Sequence, residues 1–335
     1  MIFTKWASPV SSVRGYGAMA GAALLLAGCG GASAPTVISF GDSLSDVGTY
    51  AVALPVAGAG RFTVNGAGPR VWTEFVAAEL GQSLSANQSG GVTLPAPIAQ
   101  TFPAVQGAGR SYAQGGARVD ASGISQISSV SLSSISIRQQ VDRFLGKPPT
   151  SEQNLVLMNG GGNDIGYWGQ QVLGGLATPE AALVGVVAAA GQMAEQALRL
   201  RDVGQVVVLN QADGALAPVA NNPVVRALYQ VYTPAFNAAL ANALQGSGVV
   251  VVDQFALSHD IAAQPSAFGF VNTRDVACRL EILPLPSAVL CTDQSLVAPD
   301  AATSYQWADT LHGTPGYHRA LAHRVMAVLR AKGVL

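Results

Sequence analysis

The chain has 335 residues, 49% of them hydrophobic and 11% charged, and its formal net charge is −1. That composition excludes an intrinsically disordered chain, because enough apolar side chain is present to offset the entropy of ordering. The absence of any basic run excludes a nucleic-acid partner, whose phosphates require clustered Lys and Arg.

In chain order, the first element is a leader. Lys5 and Arg14 precede an uncharged stretch, Tyr16 to Ala27, that ends in Leu24-Leu25-Leu26. It is shorter than the roughly 20 apolar residues a spanning helix needs and has the pattern of a secretory signal. Leu26-Ala27-Gly28-Cys29 resembles a bacterial lipobox. That implies a lipoprotein signal peptide over residues 1–28, cleavage before Cys29, and a lipid on Cys29 that anchors the chain to a membrane. Ordinary cleavage after Ala32-Ser33-Ala34 is the alternative, with Pro35 awkwardly next to the cut. Either route exports the chain, to the outer membrane or periplasm as a lipoprotein or to the medium as a secreted protein. Residues 29–335 are then expected to form one domain.

Four short runs rich in Val, Ile or Leu lack strict alternation: Thr36 to Phe40, Asn154 to Asn159, Gln205 to Asn210 and Gly248 to Phe255. They predict parallel strands covered on both faces. Between them, helices are predicted over Pro69 to Leu80, Pro179 to Asp202 with Thr178 as N-cap, Pro223 to Leu244 with a kink at Pro234, and Thr314 to Lys332. Each has a proline near its start, and Gly81 and Gly333 follow two of the ends. The alternation predicts an α/β fold, a three-layer α/β/α sandwich around a mostly parallel sheet. Gln82 to Ile137 and Ser258 to Tyr305 interrupt it and read as long loops over the functional edge.

Cys278 and Cys291 remain once Cys29 is assigned to the leader. In an oxidising compartment an even pair predicts a disulfide, with two unpaired buried thiols as the alternative. Neither has a His or a second Cys at ligand spacing, so no metal site is expected.

The first strand runs into Phe40-Gly41-Asp42-Ser43-Leu44-Ser45-Asp46-Val47-Gly48. Ligands of parallel sheets sit beyond the carboxyl ends of the strands. Ser43 lies there, where a following helix would aim its N-terminal N–H groups. Taken alone, a Ser at such a junction is as readily an N-cap. This stretch resembles the first block of the GDSL (SGNH) hydrolase family of esterases, lipases and other acyl hydrolases. Ser111-Tyr112-Ala113-Gln114-Gly115-Gly116-Ala117-Arg118 resembles its second block, with Ser111 where Asn is common. Gly161-Gly162-Asn163-Asp164 resembles the third. Ala308-Asp309-Thr310-Leu311-His312-Gly313 resembles the last, with Gly313 in place of the usual proline.

The resemblance implies a flavodoxin-like sheet (the SGNH hydrolase fold) and a serine hydrolase of carboxylic esters that needs no cofactor. Ser43 would be the nucleophile, His312 its base and Asp309 the acid behind it. The N–H of Ser43, the N–H of Gly116 and the side-chain amide of Asn163 would form the oxyanion hole, with Gly115 as the fallback for Gly116. Asp42, Asp46, Gly162 and Asp164 would support them. Of the four histidines, His318 and His323 fall in the last helix and read as surface or half-buried groups. His259, beside Asp260, is a rival base. The partner expected is an ester or lipid substrate. The same triad could instead serve a carbohydrate O-acetylesterase or an acyltransferase. A non-catalytic lipid- or glycan-binding lipoprotein, or a structural one, would not need the trio.

Overall fold

Strand β1 (Thr36–Phe40) is extended because its β-branched and aromatic residues fit a pleated surface covered on both sides. The computed structural model describes residues 34–335 except 55, 97, 128–129 and 148–152. The predicted leader and Cys29 lie outside the described residues. Residues 35–335 cluster as one unit.

β1 pairs in parallel with β2 (Asn154–Met158), which pairs with β3 (Gly204–Leu209), which pairs with β4 (Val250–Val252). The register sets Val37 against Leu155 and Leu155 against Gln205. On the outer side of β1, Ser39 bridges Ser111 in parallel: Ser39 N donates to Arg110 O (3.0 Å) and Tyr112 N to Ser39 O (2.7 Å). Counting that one-bridge strand second in chain order, the sheet order is 2-1-3-4-5, the flavodoxin-like order. The carboxyl end of β1 therefore lies at a topological switch point, where such sheets bind their ligands.

The helices of eight residues or more are α1 (Trp72–Glu79), α2 (Ile137–Leu145), α3 (Gly162–Leu173), α4 (Pro179–Arg199), α5 (Pro223–Leu244), α6 (Gln254–Ala263) and α7 (Pro315–Ala331). One face of the sheet (Ile38, Phe40, Val156, Met158, Val206, Val208) packs on α2, α3, α4 and α5. The other face (Val37, Leu155, Leu157, Val207, Leu209, Val252) packs on α1, α6 and α7. These are the three layers expected.

The boundaries carry several corrections. α1 begins at Trp72, so Pro69 stays outside it; the Glu74 carboxylate accepts from the N–H groups of Arg70 (2.8 Å) and Val71 (3.1 Å) and fixes the start there. α4 starts as expected on Thr178, whose hydroxyl accepts from Ala181 N, and ends at Arg199. α5 runs through Pro234 over its full predicted span. β4 stops at Val252, because Asp253 caps α6 by accepting from Ala256 N (2.9 Å) and draws Gln254 and Phe255 into that helix.

The two expected loops are largely ordered. Within the first, Thr101–Phe102, Val92–Thr93, Val130–Ser134 and Gly123–Ile127 make, in that order, a four-stranded antiparallel sheet. Gln88–Ser89 pairs with Val105–Gln106 beside it. This sheet shares a small core of Tyr50, Phe62, Val92, Val130 and Leu132 with Leu285, Val289 and Leu290 from the second loop. In the second loop, Asn272–Val276 pairs with Tyr305–Trp307. Cys278 and Cys291 form the expected disulfide, with Cα atoms 6.0 Å apart.

Candidate active site

Ser43 sits three residues past β1, but no α-helix follows it. Residues 42–50 form consecutive turns, because acidic side chains capture the backbone donors a helix would use. Asp42 Oδ1 accepts from Leu44 N (3.1 Å), and Asp46 Oδ1 accepts from Gly48 N (2.9 Å) and Thr49 N (2.8 Å). Gly41 opens the turn at φ +148°; a Cβ there would run into the amide and carbonyl oxygens of Asn159. Two buried side chains hold the turn, one from α2 and one from the end of β2. Gln140 clamps the Gly41 peptide, accepting from its N–H and donating to its C=O, both at 2.9 Å. The Asn159 amide donates to Asp42 Oδ1 (2.6 Å) and its oxygen accepts from the Ser45 hydroxyl. The Ser45 hydroxyl also accepts from Trp72 Nε1 (2.9 Å).

His312 comes from the other end of the chain. Trp307 and Gly313 bridge in antiparallel fashion, so residues 308–312 form a tight loop closed by Ala308 N donating to His312 O (2.7 Å). The structure brings the three predicted residues together. His312 Nε2 lies 3.0 Å from Ser43 Oγ, and His312 Nδ1 lies 2.9 Å and 3.0 Å from the two Asp309 oxygens. The ring also packs on Phe62, with centroids 5.2 Å apart. Asp309 is buried and accepts backbone N–H groups on both oxygens. Oδ2 takes Ala288 N (2.8 Å), and Oδ1 takes Leu311 N (2.9 Å) and His312 N (2.8 Å). Ala288 belongs to the disulfide-closed segment, so the bridge supports the acid's position.

The electrostatics follow from this packing. Burial pushes the Asp309 carboxyl up, but the His312 charge and the bonds from His312 and Ala288 outweigh it and bring it down to about 2. Burial pulls His312 down, yet the Asp309 charge and hydrogen bond, with Asp42 nearby, leave it raised above 6.5. Such a histidine, tied at Nδ1 to a carboxylate, presents a proton-accepting Nε2 to the serine hydroxyl.

Among the other predicted residues, some keep an N–H free and others brace the surrounding turns. Ser43 N and Gly116 N have no hydrogen-bond partner among the described residues. The Asn163 amide uses one N–H on Ala117 O (3.0 Å), which ties it to the Gly116 turn and leaves its second N–H free; Asn163 lines the same pocket as Ser43 and His312. Gly115 is not available as the fallback donor. Its N–H is held by Asp46 Oδ2 (2.8 Å), and Phe62 packs where a Cβ would stand. Gly116, at φ +82°, follows it in the turn. Burial pushes Asp46 up to about 6 against the three N–H groups it accepts; it staples the nucleophile turn to the Gly115 turn. Asp164 braces the same region through Arg118 Nε (3.1 Å) and Val119 N (3.0 Å). Gly162 opens α3 in the pocket wall, where a Cβ would meet Gln211.

His259 is half exposed and pairs with Asp213 (3.0 Å), whereas it is His312 that reaches the Ser43 hydroxyl. His323 is exposed as expected. His318 differs from expectation: it is wholly buried, accepts from Trp72 N through Nδ1 (3.3 Å), and its Nε2 has no partner among the described residues. Burial lowers it to about 3, so it is neutral. Sequence reasoning missed Gln140 and Asn159. Asn159 ends a predicted strand, a position open to many roles, and Gln140 carries no distinguishing pattern.

Among the described residues no cluster of three His, Cys, Asp or Glu could hold a metal ion. A 121-residue stretch is 26% identical to a GDSL esterase/lipase of Arabidopsis thaliana, covering 36% of this chain and about a third, 32%, of that protein's length. Solved structures similar to this one include an acetylxylan esterase of Geobacillus stearothermophilus, at 13% identity and TM-score 0.42, covering 89% of this chain and 94% of that one. Another is an α/β hydrolase enzyme from the Lake Arreo metagenome, at 14% identity and TM-score 0.40, covering 89% and 95%. Residues 37–325 match the family described as GDSL-like lipase/acylhydrolase, and the chain belongs to that family.

Proposed function

We propose that the protein is a serine hydrolase of carboxylic esters. The observation that carries this is the continuous chain of contacts from Asp309 through His312 to the Ser43 hydroxyl, 2.9 Å and 3.0 Å long. In the first step His312 Nε2 takes the Ser43 proton while Oγ forms a bond to the ester carbonyl carbon. The carbonyl π pair moves onto oxygen, where Ser43 N, Gly116 N and Asn163 Nδ2 donate to it. The oxyanion then collapses, the C–O bond to the alcohol breaks, and the His312 imidazolium protonates the leaving alkoxide. Water repeats the sequence on the acyl-enzyme, releasing the acid and restoring Ser43. Asp309 stays ionised throughout, orienting the ring and stabilising its charged form.

Export and a lipid anchor at Cys29 belong to the same reading and rest on the leader sequence alone. The direct test of the function is hydrolysis of p-nitrophenyl esters by the wild type and by Ser43→Ala. Loss of turnover with unchanged far-UV circular dichroism supports the assignment. A variant that keeps the wild-type rate removes Ser43 from the chemistry.

A further inference from the structure

Beside the catalytic pocket lies a second cavity of about 240 Å³ between α3 and α5. The two share Ile165 and Tyr229 in their walls. No charged side chain lines the second cavity. Its floor exists because α3 carries glycine where a side chain would fill the space. A Cβ on Gly166 would meet nothing within 4 Å, and one on Gly169 only Leu228 at 3.7 Å. Leu173, about half exposed, stands at the far end of α3. Tyr229 packs its ring against the backbone of Gly214, and burial pushes its phenol up, as expected beside an apolar space.

Resting on the esterase reading above, we propose that this α3–α5 groove holds the acyl chain of the ester, and that the preferred substrates carry medium-length alkyl acyl groups. The direction follows from the chemistry. The leaving alcohol must be protonated by His312, so it departs on the His312 side, beside Trp307, Leu311 and Tyr317 of the catalytic pocket. The acyl tail is assigned to the Ile165 and Tyr229 wall, which the pocket shares with the groove. A polar acyl group fits this lining poorly. Tyr232 already donates to Pro179 O (3.2 Å), which leaves the Gln170 amide and the Tyr229 hydroxyl as the remaining polar side-chain groups. An alkyl chain needs none, and each buried methylene raises transition-state binding by about fourfold.

The test is a p-nitrophenyl ester series from acetate to decanoate, below micellar concentrations, with the wild type, Gly169→Leu, Gly166→Leu and Tyr229→Ala. A wild-type kcat/KM at least about tenfold higher for octanoate than for acetate supports the proposal. So does a fall of about tenfold or more in that ratio in either glycine variant, whichever folds. Tyr229→Ala should move the optimum to a different chain length. A wild-type ratio at or below one overturns the proposal, as do ratios in both glycine variants within twofold of wild type. If no ester is cleaved and a fluorophosphonate leaves Ser43 unlabelled, the esterase reading fails, and the groove assignment with it. If acetate is cleaved and Ser43 is labelled but chain length has no effect, only the groove assignment fails.

Discussion

Asp309→Asn separates the acid's three contributions. Both carboxylate oxygens accept backbone N–H groups, Oδ2 from Ala288 and Oδ1 from Leu311 and His312, besides facing the imidazole. An amide must therefore point its –NH₂ at one of these donors whichever way it is turned. A buried donor left unpaired costs about 1–3 kcal/mol of stability. The lost charge adds to this: a shift from 3.8 to about 2 corresponds to roughly 2 kcal/mol favouring the ionised form in the fold. Asp309's pKa is depressed, so that share of stability is present above pH 3.8 and fades as pH falls through about 2. The wild type should hold it throughout the working range, and the variant should lack it at every pH. In catalysis, kcat should fall by about 10²–10⁴-fold. The more discriminating readout is the acid limb of kcat/KM. His312 must be neutral to accept the proton, so wild-type activity rises with pH through a midpoint above 6.5. Without the Asp309 charge, burial dominates and the midpoint should move below 6.5. Steady-state rates from pH 4 to 9, with urea melts at pH 7, measure all three effects. A midpoint that stays put or moves up would refute the electrostatic account even if the rate falls.

Three further outcomes are expected. Asn163→Ala should lower kcat by about a hundredfold or more, with KM changed only severalfold, since one oxyanion donor is worth about 3 kcal/mol; an unchanged kcat removes Asn163 from the hole. Replacing both Cys278 and Cys291 with Ser should cost about 3 kcal/mol in a chemical melt and also lower kcat, because Ala288, which holds Asp309, lies in the closed loop; a stability loss with kcat intact would deny the bracing role. His318 is neutral and buried, its pKa depressed to about 3, so the stability it contributes is complete above pH 6.5 and drains as pH falls toward 3. Between pH 7 and pH 4 the wild type should lose roughly 3 kcal/mol through this group, and His318→Gln should flatten that slope; identical slopes in urea melts would contradict it.

How much the amino-acid pattern revealed depended on which forces were local. β1 to β3 and α5 were legible because buried strands and proline-started helices leave their signature in a few consecutive residues. Ser43, Asp309 and His312 were legible because their motifs fix them, and the fold brings them to hydrogen-bonding distance. α3 was not legible: Gly162, Gly166 and Gly169 lower its intrinsic helicity, and its stability comes from packing on α4 and α5 that no short window contains. The turn after Ser43 was misjudged because its structure is decided by where Asp42 and Asp46 send their oxygens, not by periodicity. The antiparallel sheet within residues 82–137 was hidden by strands of two to five residues rich in Ser, Gly and Gln. The burial of His318 is a tertiary fact, set by α1 lying across α7.

The central claim is that one serine is activated by one imidazole. The most direct measurement is reaction of the intact protein with a fluorophosphonate, followed by peptide mapping of the adduct, in the wild type and in His312→Ala. The account predicts a single adduct on Ser43, formed at a rate that falls by at least about a thousandfold in the variant. An adduct on another serine, or an equal rate on Ser43 without His312, would contradict it.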